Sequence, residues 1–498
     1  MAGKLCAGRF KLVTPKEIAP DPADDAIPCA PELAEMKRRL AAAENGSRAL
    51  KEQIRAIDEL LQQARERLRS AKRKLTEAEH YRSIVHDLRS RWYLRPFIPG
   101  EKLRPPKKGF ADYWLYRGPR FDQPSSVRHR VLIVGHLLSG TLFGSEKSLL
   151  EIIAAIDPDK FDVFAVFPER NEQVFAALRS QVQGIAVFDY FWWRQDRPFD
   201  EEAVSIFEEI CRQRAIDLVH VNTIMLRDPL LAARRLGIPG ITNARELISQ
   251  DDELIARLGG DAHEIARIVC ENATYLLANS AATLTDYPCG EKGGFLYNSF
   301  NAKALDLPQR VDPSHICVGL VSSNILKKGV LDFLELAREA EKQLPALQFH
   351  LIGPDSFLTR QWREGAQKLP ANFHLRGHIV DPPDAYRDLN VVLNLSRFAE
   401  SFGRTVAEAM MARRPVIGYH HGALSELIDD GETGFLVPYL DLSAVLDRLR
   451  FFVANPAKIT EFGETARQRS LALFSRDVFA DRIKALYERL IAEARQRC

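Results

Sequence analysis

Val391-Val-Leu-Asn-Leu-Ser-Arg-Phe-Ala-Glu-Ser-Phe-Gly-Arg-Thr-Val-Ala-Glu-Ala-Met-Met411 is the stretch on which the fold turns. Its largely apolar start, Val391 to Leu395, reads as a buried parallel strand, and Thr405 to Met411 begins a helix, so Ser401, Phe402 and Gly403 span the turn. Backbone NH groups at a helix start lack intrahelical partners and sit at the positive end of the helix dipole, so this turn suits an anionic group. Glu400 stands beside that anion. Glu408, about five residues up a helix rising roughly 1.5 Å per residue, lies roughly 7 Å deeper. One carboxylate could hold a sugar and the other a ribose; the plain alternative is two solvated charges flanking an ordinary strand-to-helix turn.

Outward from this junction, buried strands alternate with amphipathic helices. Val131–Val134, Val163–Phe167, Ile185–Phe188, Leu218–Val221, Gly240–Thr242 and Tyr275–Ala278 form one strand series. Cys317–Val321, Gln348–Ile352, Phe373–Leu375, Val391–Leu395 and Val416–Ile417 form a second. Each series predicts a doubly wound parallel sheet, and two in tandem make a cleft with ligands outside the strand C-termini. The predicted class is α/β, with two Rossmann-like domains at residues 130–303 and 304–476 and a tail helix at 477–498 returning toward the first.

A chain of 498 residues with 46% hydrophobic and 27% charged residues exceeds a single core and implies several domains. A net charge of +2 carries no global nucleic-acid signature. Seven scattered cysteines, none at C-x-x-C spacing, argue against a disulfide framework or zinc site. With no apolar leader and no run of about 18 apolar residues, the chain reads as a soluble protein of a reducing compartment, cytoplasmic or peripheral at the inner membrane face.

Residues 1–30 are rich in proline and read as a poorly ordered tail. In residues 31–90, Leu33, Met36, Leu40, Ala43, Ser47, Leu50, Ile54, Ile57, Leu61, Ala64, Leu68, Ala71, Leu75 and Ala78 keep 3,4 spacing, a coiled-coil seam. Its small alternate residues favour an antiparallel homo-oligomer or docking on the chain's own body; a lone amphipathic helix is the plainer reading. Residues 91–129 are a linker, and within 89–120 nine Lys/Arg interleave with aromatics. That mixture suits an anionic membrane surface, or a strap packed on the next domain. No base-reading fold accompanies it, so nucleic acid is not an expected partner.

Four ordered pieces then carry a resemblance: Glu400-Ser-Phe-Gly to Glu408, Arg414-Pro-Val-Ile417, His421-Gly-Ala-Leu-Ser-Glu426 and Asp430-Gly-Glu-Thr-Gly-Phe-Leu-Val437. In order and spacing these resemble the retaining glycosyltransferases of family 4 type, whose fold is the GT-B arrangement. The likeness covers roughly residues 130–495. It implies that Glu400 contacts the transferred sugar, Glu408 holds the nucleoside ribose, and Lys328 of Leu326-Lys-Lys-Gly329 meets the donor diphosphate. Ser401, Phe402 and Gly403 would form the phosphate turn. Two positions depart from the family pattern: Ser323 stands where an arginine is usual, with Arg404 as a substitute cation, and Asn243 stands where a histidine often lies near the sugar, with Arg245 as its companion. Gly144, in Gly140-Thr-Leu-Phe-Gly-Ser-Glu-Lys147, resembles the glycine-rich loop between donor and acceptor.

These readings converge on an anomer-retaining transferase that moves a sugar from a nucleoside-diphosphate donor, UDP or GDP type, to a saccharide or lipid-linked acceptor in surface glycan biosynthesis. No cofactor and no metal are expected, because Lys328, helix N-termini and Arg404 can balance the diphosphate. The rival readings are a GT-B epimerase or phosphorylase, and a catalytically weak interaction protein working through its coiled coil.

Overall fold

The computed structural model describes residues 113–123, 127–136 and 144–497. The expected tail, the coiled-coil series and the first part of the basic, aromatic stretch lie outside the described residues. Residues 111–498 form one compact unit.

Two sheets organise this unit. The first holds β1 (Trp114–Arg117), β2 (His129–Val134), β3 (Phe161–Phe167), β4 (Gly184–Val187), β5 (Leu218–Val221), β6 (Gly240–Ala244), β7 (Tyr275–Ala278) and β8 (Gly293–Phe295). Their spatial order is β1-β4-β3-β2-β5-β6-β7-β8. The second holds β9 (Ile316–Val321), β10 (Leu347–Ile352), β11 (Phe373–Gly377), β12 (Val391–Asn394), β13 (Val416–Tyr419) and β14 (Gly434–Val437), in the order β11-β10-β9-β12-β13-β14. β1 runs antiparallel to β4, and the other pairings between these strands are parallel. Helices cover both faces, so the inner strands must be apolar throughout: β3 is buried at every position. Its one charge, Asp162, takes Arg120 Nε at 2.8 Å and Arg128 Nε at 3.2 Å.

Among the parallel strands of each sheet the winding direction reverses once, between β2 and β5 and between β9 and β12. In open α/β sheets such reversal points, outside the strand C-termini, are where ligands bind. The same wiring thus gives the unit two such reversal points.

The last helix, Arg476–Arg497, returns to the first sheet. It buries Phe479, Ile483, Tyr487, Leu490 and Ile491 in one core with Val131, Ile133 and Phe161. Arg476 pairs with Glu151 at 3.0 Å and Arg495 with Asp217 at 2.8 Å.

Two features differ from the sequence reading. The linker assigned to residues 91–129 contains β1, an edge strand of the first sheet. Trp114 packs edge-on against Phe121 and Phe164, with ring centroids 4.9 and 5.8 Å away. Gly184 leaves the room for it, since a Cβ there would come within 2.6 Å of the Trp114 ring. A four-residue strand among prolines shows no period in sequence. Here the strap alternative holds for residues 113–121. The second difference is a disulfide between Cys270 and Cys289, 19 residues apart, where scattered spacing argued against one. The fold brings the end of the helix Ala262–Asn272 beside the turn before β8, a proximity that spacing does not reveal.

Closing a 19-residue loop constrains the unfolded chain by about 3 kcal/mol. Reduction of the intact protein, or Cys270→Ser, should lower the unfolding free energy by about that amount in urea titrations. Identical curves with and without reductant would remove the disulfide's structural role.

Candidate active site

The loop after β9 meets the loop after β12 because one residue is glycine. Gly329 has φ +75°, and a Cβ there would sit 2.1 Å from the Leu395 carbonyl oxygen. With the loops in contact, the Arg397 amide donates to the Lys327 carbonyl at 2.8 Å. Lys328 Nζ then reaches Glu400 Oε1 at 2.7 Å, across 72 positions of sequence. The ammonium also lies 4.4 Å from the centre of the Phe398 ring. Ser396 Oγ donates to the same carboxylate oxygen. A second glycine, Gly422 at φ +61°, lets the loop after β13 approach, and the Ala423 amide donates to the Glu400 carbonyl at 2.9 Å. Glu400 is therefore held by main chain and side chain at the second sheet's switch point.

Glu408 lies on the helix Arg404–Met411, whose start at Gly403 has no side-chain cap. Its two oxygens accept from Arg404 Nε at 3.0 Å and from the Tyr386 hydroxyl at 2.9 Å. Burial pushes the Tyr386 hydroxyl well above the usual phenol range, and the adjacent Glu408 adds to the effect, so it stays a donor. The Arg404 guanidinium lies 4.7 Å above the Phe300 ring. Its Nη1 is buried and meets no acceptor among the described residues. A buried cationic donor without an acceptor is costly unless a ligand oxygen meets it.

From the first sheet, Arg245 follows β6. Its Nη2 donates to Asn222 Oδ1 at 2.9 Å and its Nη1 to Asn298 Oδ1 at 3.0 Å. Burial pushes this guanidinium down to about 10; neighbouring Glu246 opposes the shift and Arg404 adds to it. Two arginines from different sheets thus press on one region, which favours an anion there. Asn243 is buried behind them, with Oδ1 3.0 Å from His220 Nε2 and Nδ2 3.5 Å from Asn222 Oδ1. His220 Nδ1 is 2.5 Å from the hydroxyl of Tyr487 on the returning helix.

Several sequence-derived site residues occupy different places. Ser401 is a joint between the two sheets: its carbonyl accepts from Ser280 Oγ at 2.5 Å and Thr283 Oγ1 at 2.9 Å, and its hydroxyl accepts from Asn279 Nδ2 at 3.3 Å. Phe402 turns its ring into a cluster with Tyr297, Phe300 and Phe474, leaving only its backbone for a ligand. Asn243 is committed to His220 rather than presented openly beside a sugar. Arg404 is no surface charge, being tied to Glu408. Ser323 is exposed in the loop after β9. Gly144 begins the helix Gly144–Ala155, and the preceding residues of its glycine-rich loop lie outside the described residues. Sequence reasoning quoted Glu426 within a motif but gave it no role; its carboxylate accepts the Ala281 and Ala282 amides at 2.9 and 2.6 Å and the Tyr297 hydroxyl at 3.0 Å. Missed outright was His220, whose signal was a lone polar residue inside an apolar strand.

A cavity of about 180 Å³ borders this region, lined by Trp192, Met225, Glu246, Asp251, Glu253, Leu254 and Arg257. Trp192, Met225 and Glu246 follow β4, β5 and β6, which places the cavity at the C-terminal edge of the first sheet. Burial pushes the Glu246 carboxyl upward.

Residues 312–455 match the model of the family described as glycosyl transferases group 1. Trehalose synthase of Pyrococcus horikoshii is 28% identical over 172 residues, 32% of this chain and 40% of that protein. The lipopolysaccharide core biosynthesis mannosyltransferase LpcC of Rhizobium leguminosarum is 35% identical over 119 residues, 24% of this chain and 34% of that protein. The chain thus spans less than half the length of these curated relatives. Among solved structures, Anabaena Alr3699/HepE in complex with UDP superposes with a TM-score of 0.60 at 17% identity, covering 72% of this chain and 99% of that one. That likeness establishes the fold, two Rossmann-like domains in the GT-B arrangement. Among the described residues no helix is long and apolar enough to cross a membrane.

His220 gives a testable pH dependence. Burial is the main cause that lowers its pKa to about 4 from 6.5; the Asn243 hydrogen bond opposes this and Arg245 assists it. As pH falls from 6.5 to 4 the unfolded chain gains this proton and the folded chain does not, so stability should drop across that window by on the order of 3 kcal/mol. Urea titrations of wild type and His220→Gln should differ in slope there; parallel pH profiles would rule out the assignment.

Proposed function

We propose that this chain is an anomer-retaining glycosyltransferase that moves a sugar from a UDP- or GDP-type donor to a saccharide or lipid-linked acceptor in surface glycan biosynthesis. The observation that carries this reading is the Lys328–Glu400 contact at a switch point, beside Arg404 with its unmet buried donor. Crevices at such points bind nucleotides. The relatives agree in kind: one is named for trehalose synthesis and one for mannosyl transfer, and the Anabaena structure holds UDP.

In this reading the diphosphate lies across the helix start at Gly403, with Lys328 and Arg404 offsetting the charge that builds on it as the glycosidic bond breaks. The acceptor hydroxyl attacks the anomeric carbon from the face the diphosphate leaves, and its proton passes to the departing phosphate oxygen. Configuration is retained without a protein nucleophile. Glu400, restrained by Lys328 and Ser396, contacts the sugar; Glu408, restrained by Arg404 and Tyr386, accepts from the ribose hydroxyls. Such preorganised side chains lose little freedom on binding, which makes positioning effective. The cavity beside Trp192 and Glu246 would receive the acceptor. Residues 31–90 would pair the chain with a second copy, and residues 89–112 would bring it to an anionic membrane face.

A thermal-shift screen of UDP-, GDP-, ADP- and CMP-sugars should show stabilisation by one nucleotide class. With that donor, Glu400→Gln should cut transfer on the order of 10²-fold while nucleotide affinity persists. Glu408→Gln should weaken nucleotide binding about tenfold, the effect of losing a charged hydrogen bond. Turnover should be the same with and without EDTA. A wild-type chain that binds none of the donors would leave the interaction-protein reading in place.

A further inference from the structure

We propose that Tyr487, on the returning helix, is a positioning residue for the transfer site: through His220 it sets the direction of the Asn243 carboxamide and thereby the Asn222–Arg245 pair. This rests on the glycosyltransferase reading above.

The direction of the chain follows from one end. A guanidinium only donates, and Arg245 Nη2 lies 2.9 Å from the Asn222 side chain, so the atom it meets there is the carboxamide oxygen. The Asn243 side chain approaches that same oxygen at 3.5 Å, a long contact that suits only its NH₂ group. Its oxygen therefore faces His220 Nε2 at 3.0 Å, and that nitrogen carries the ring's hydrogen. A neutral imidazole has one NH, so Nδ1 offers a lone pair and the Tyr487 hydroxyl, 2.5 Å away, donates to it. Each step has one solution. The polarity runs from Tyr487 through His220 and Asn243 to Asn222, where it meets Arg245 coming from the other side.

Without the tyrosine hydroxyl this order loses its far anchor. His220 Nδ1 becomes a buried acceptor with nothing to accept, and the other tautomer competes. In that tautomer the Asn243 carboxamide turns over, and two oxygens face each other at Asn222. Arg245 must then shift to meet both. Neither Tyr487 nor His220 needs to touch a substrate for this to matter.

The test uses the full chain. Tyr487→Phe should lower kcat about tenfold while UDP or GDP affinity, which depends on the second sheet, stays unchanged. The double variant Asn243→Ala/Tyr487→Phe should be no slower than Asn243→Ala alone, because the tyrosine acts through that carboxamide; multiplying effects would mean an independent structural role and overturn the proposal. Selective ¹⁵N-histidine spectra, with His220 assigned by its loss in His220→Gln, should show the Nε2–H tautomer in wild type. An Nδ1–H tautomer would overturn the proposal whether or not the chain transfers sugar. Should wild type lack transfer but show the Nε2–H form, the proposed activity fails and the site-positioning role fails with it, leaving only the hydrogen-bond order.

Discussion

Close backbone approach at the second sheet's switch point is the constraint on which the site depends. Gly329 lies against the Leu395 carbonyl and Gly422 against the Glu400 backbone, both at positive φ. A Cβ at these positions would lie 2.1 Å from the Leu395 carbonyl and 2.5 Å from the Glu400 carbonyl, so any side chain would force the loops after β9, β12 and β13 apart. The close Lys328–Glu400 contact depends on that approach, since a hydrogen bond weakens steeply once its groups separate. Three loops converge because two residues lack a Cβ, and the charged groups follow.

The same region joins the two sheets. Ser401, in the loop after β12, and Glu426, on the short helix Leu424–Leu427 after β13, bind the start of the short helix Ala281–Leu284 after β7. Glu426 satisfies amide donors that a four-residue helix cannot satisfy internally, and its charge suits that end of the helix. These hydroxyl, amide and carboxylate contacts lie beside the aromatic cluster of Tyr297, Phe300, Phe402 and Phe474. Ser401, in the turn before the helix Arg404–Met411, thus also takes part in how the two halves meet.

The strand-to-helix junction at Val391–Met411 was legible because strand burial and helix period are local properties, and both sheets followed from the same alternation. Lys328 and Glu400 were each readable, yet their contact was not, because it depends on two glycines whose φ no spacing reveals. Ser401 and Phe402 share a motif with Glu400, and motif membership could not distinguish a ligand contact from a domain joint or a core ring. β1 stayed hidden because four residues beside prolines show no period. The Cys270–Cys289 bridge stayed hidden because proximity arises from the fold. His220 was visible only as a polar letter in Leu218-Val-His-Val221, and its partner lies 267 positions away.

That long reach is explained by relative magnitudes. Phe479, Ile483, Leu490 and Ile491 are buried against the first sheet, and each such side chain contributes about 1.5–3 kcal/mol through burial. A tyrosine hydroxyl bond adds about 1 kcal/mol net. Apolar contacts therefore decide that the helix docks, and the hydroxyl is too weak to decide it. Yet the cost of leaving His220 without its hydrogen bond falls on a ring with no access to water, where only one proton arrangement satisfies every group. A weak bond at a buried position can select among arrangements that packing leaves equal. The returning helix is held mainly by its hydrocarbon, and the buried hydroxyl of Tyr487 sets the order of protons leading to Arg245.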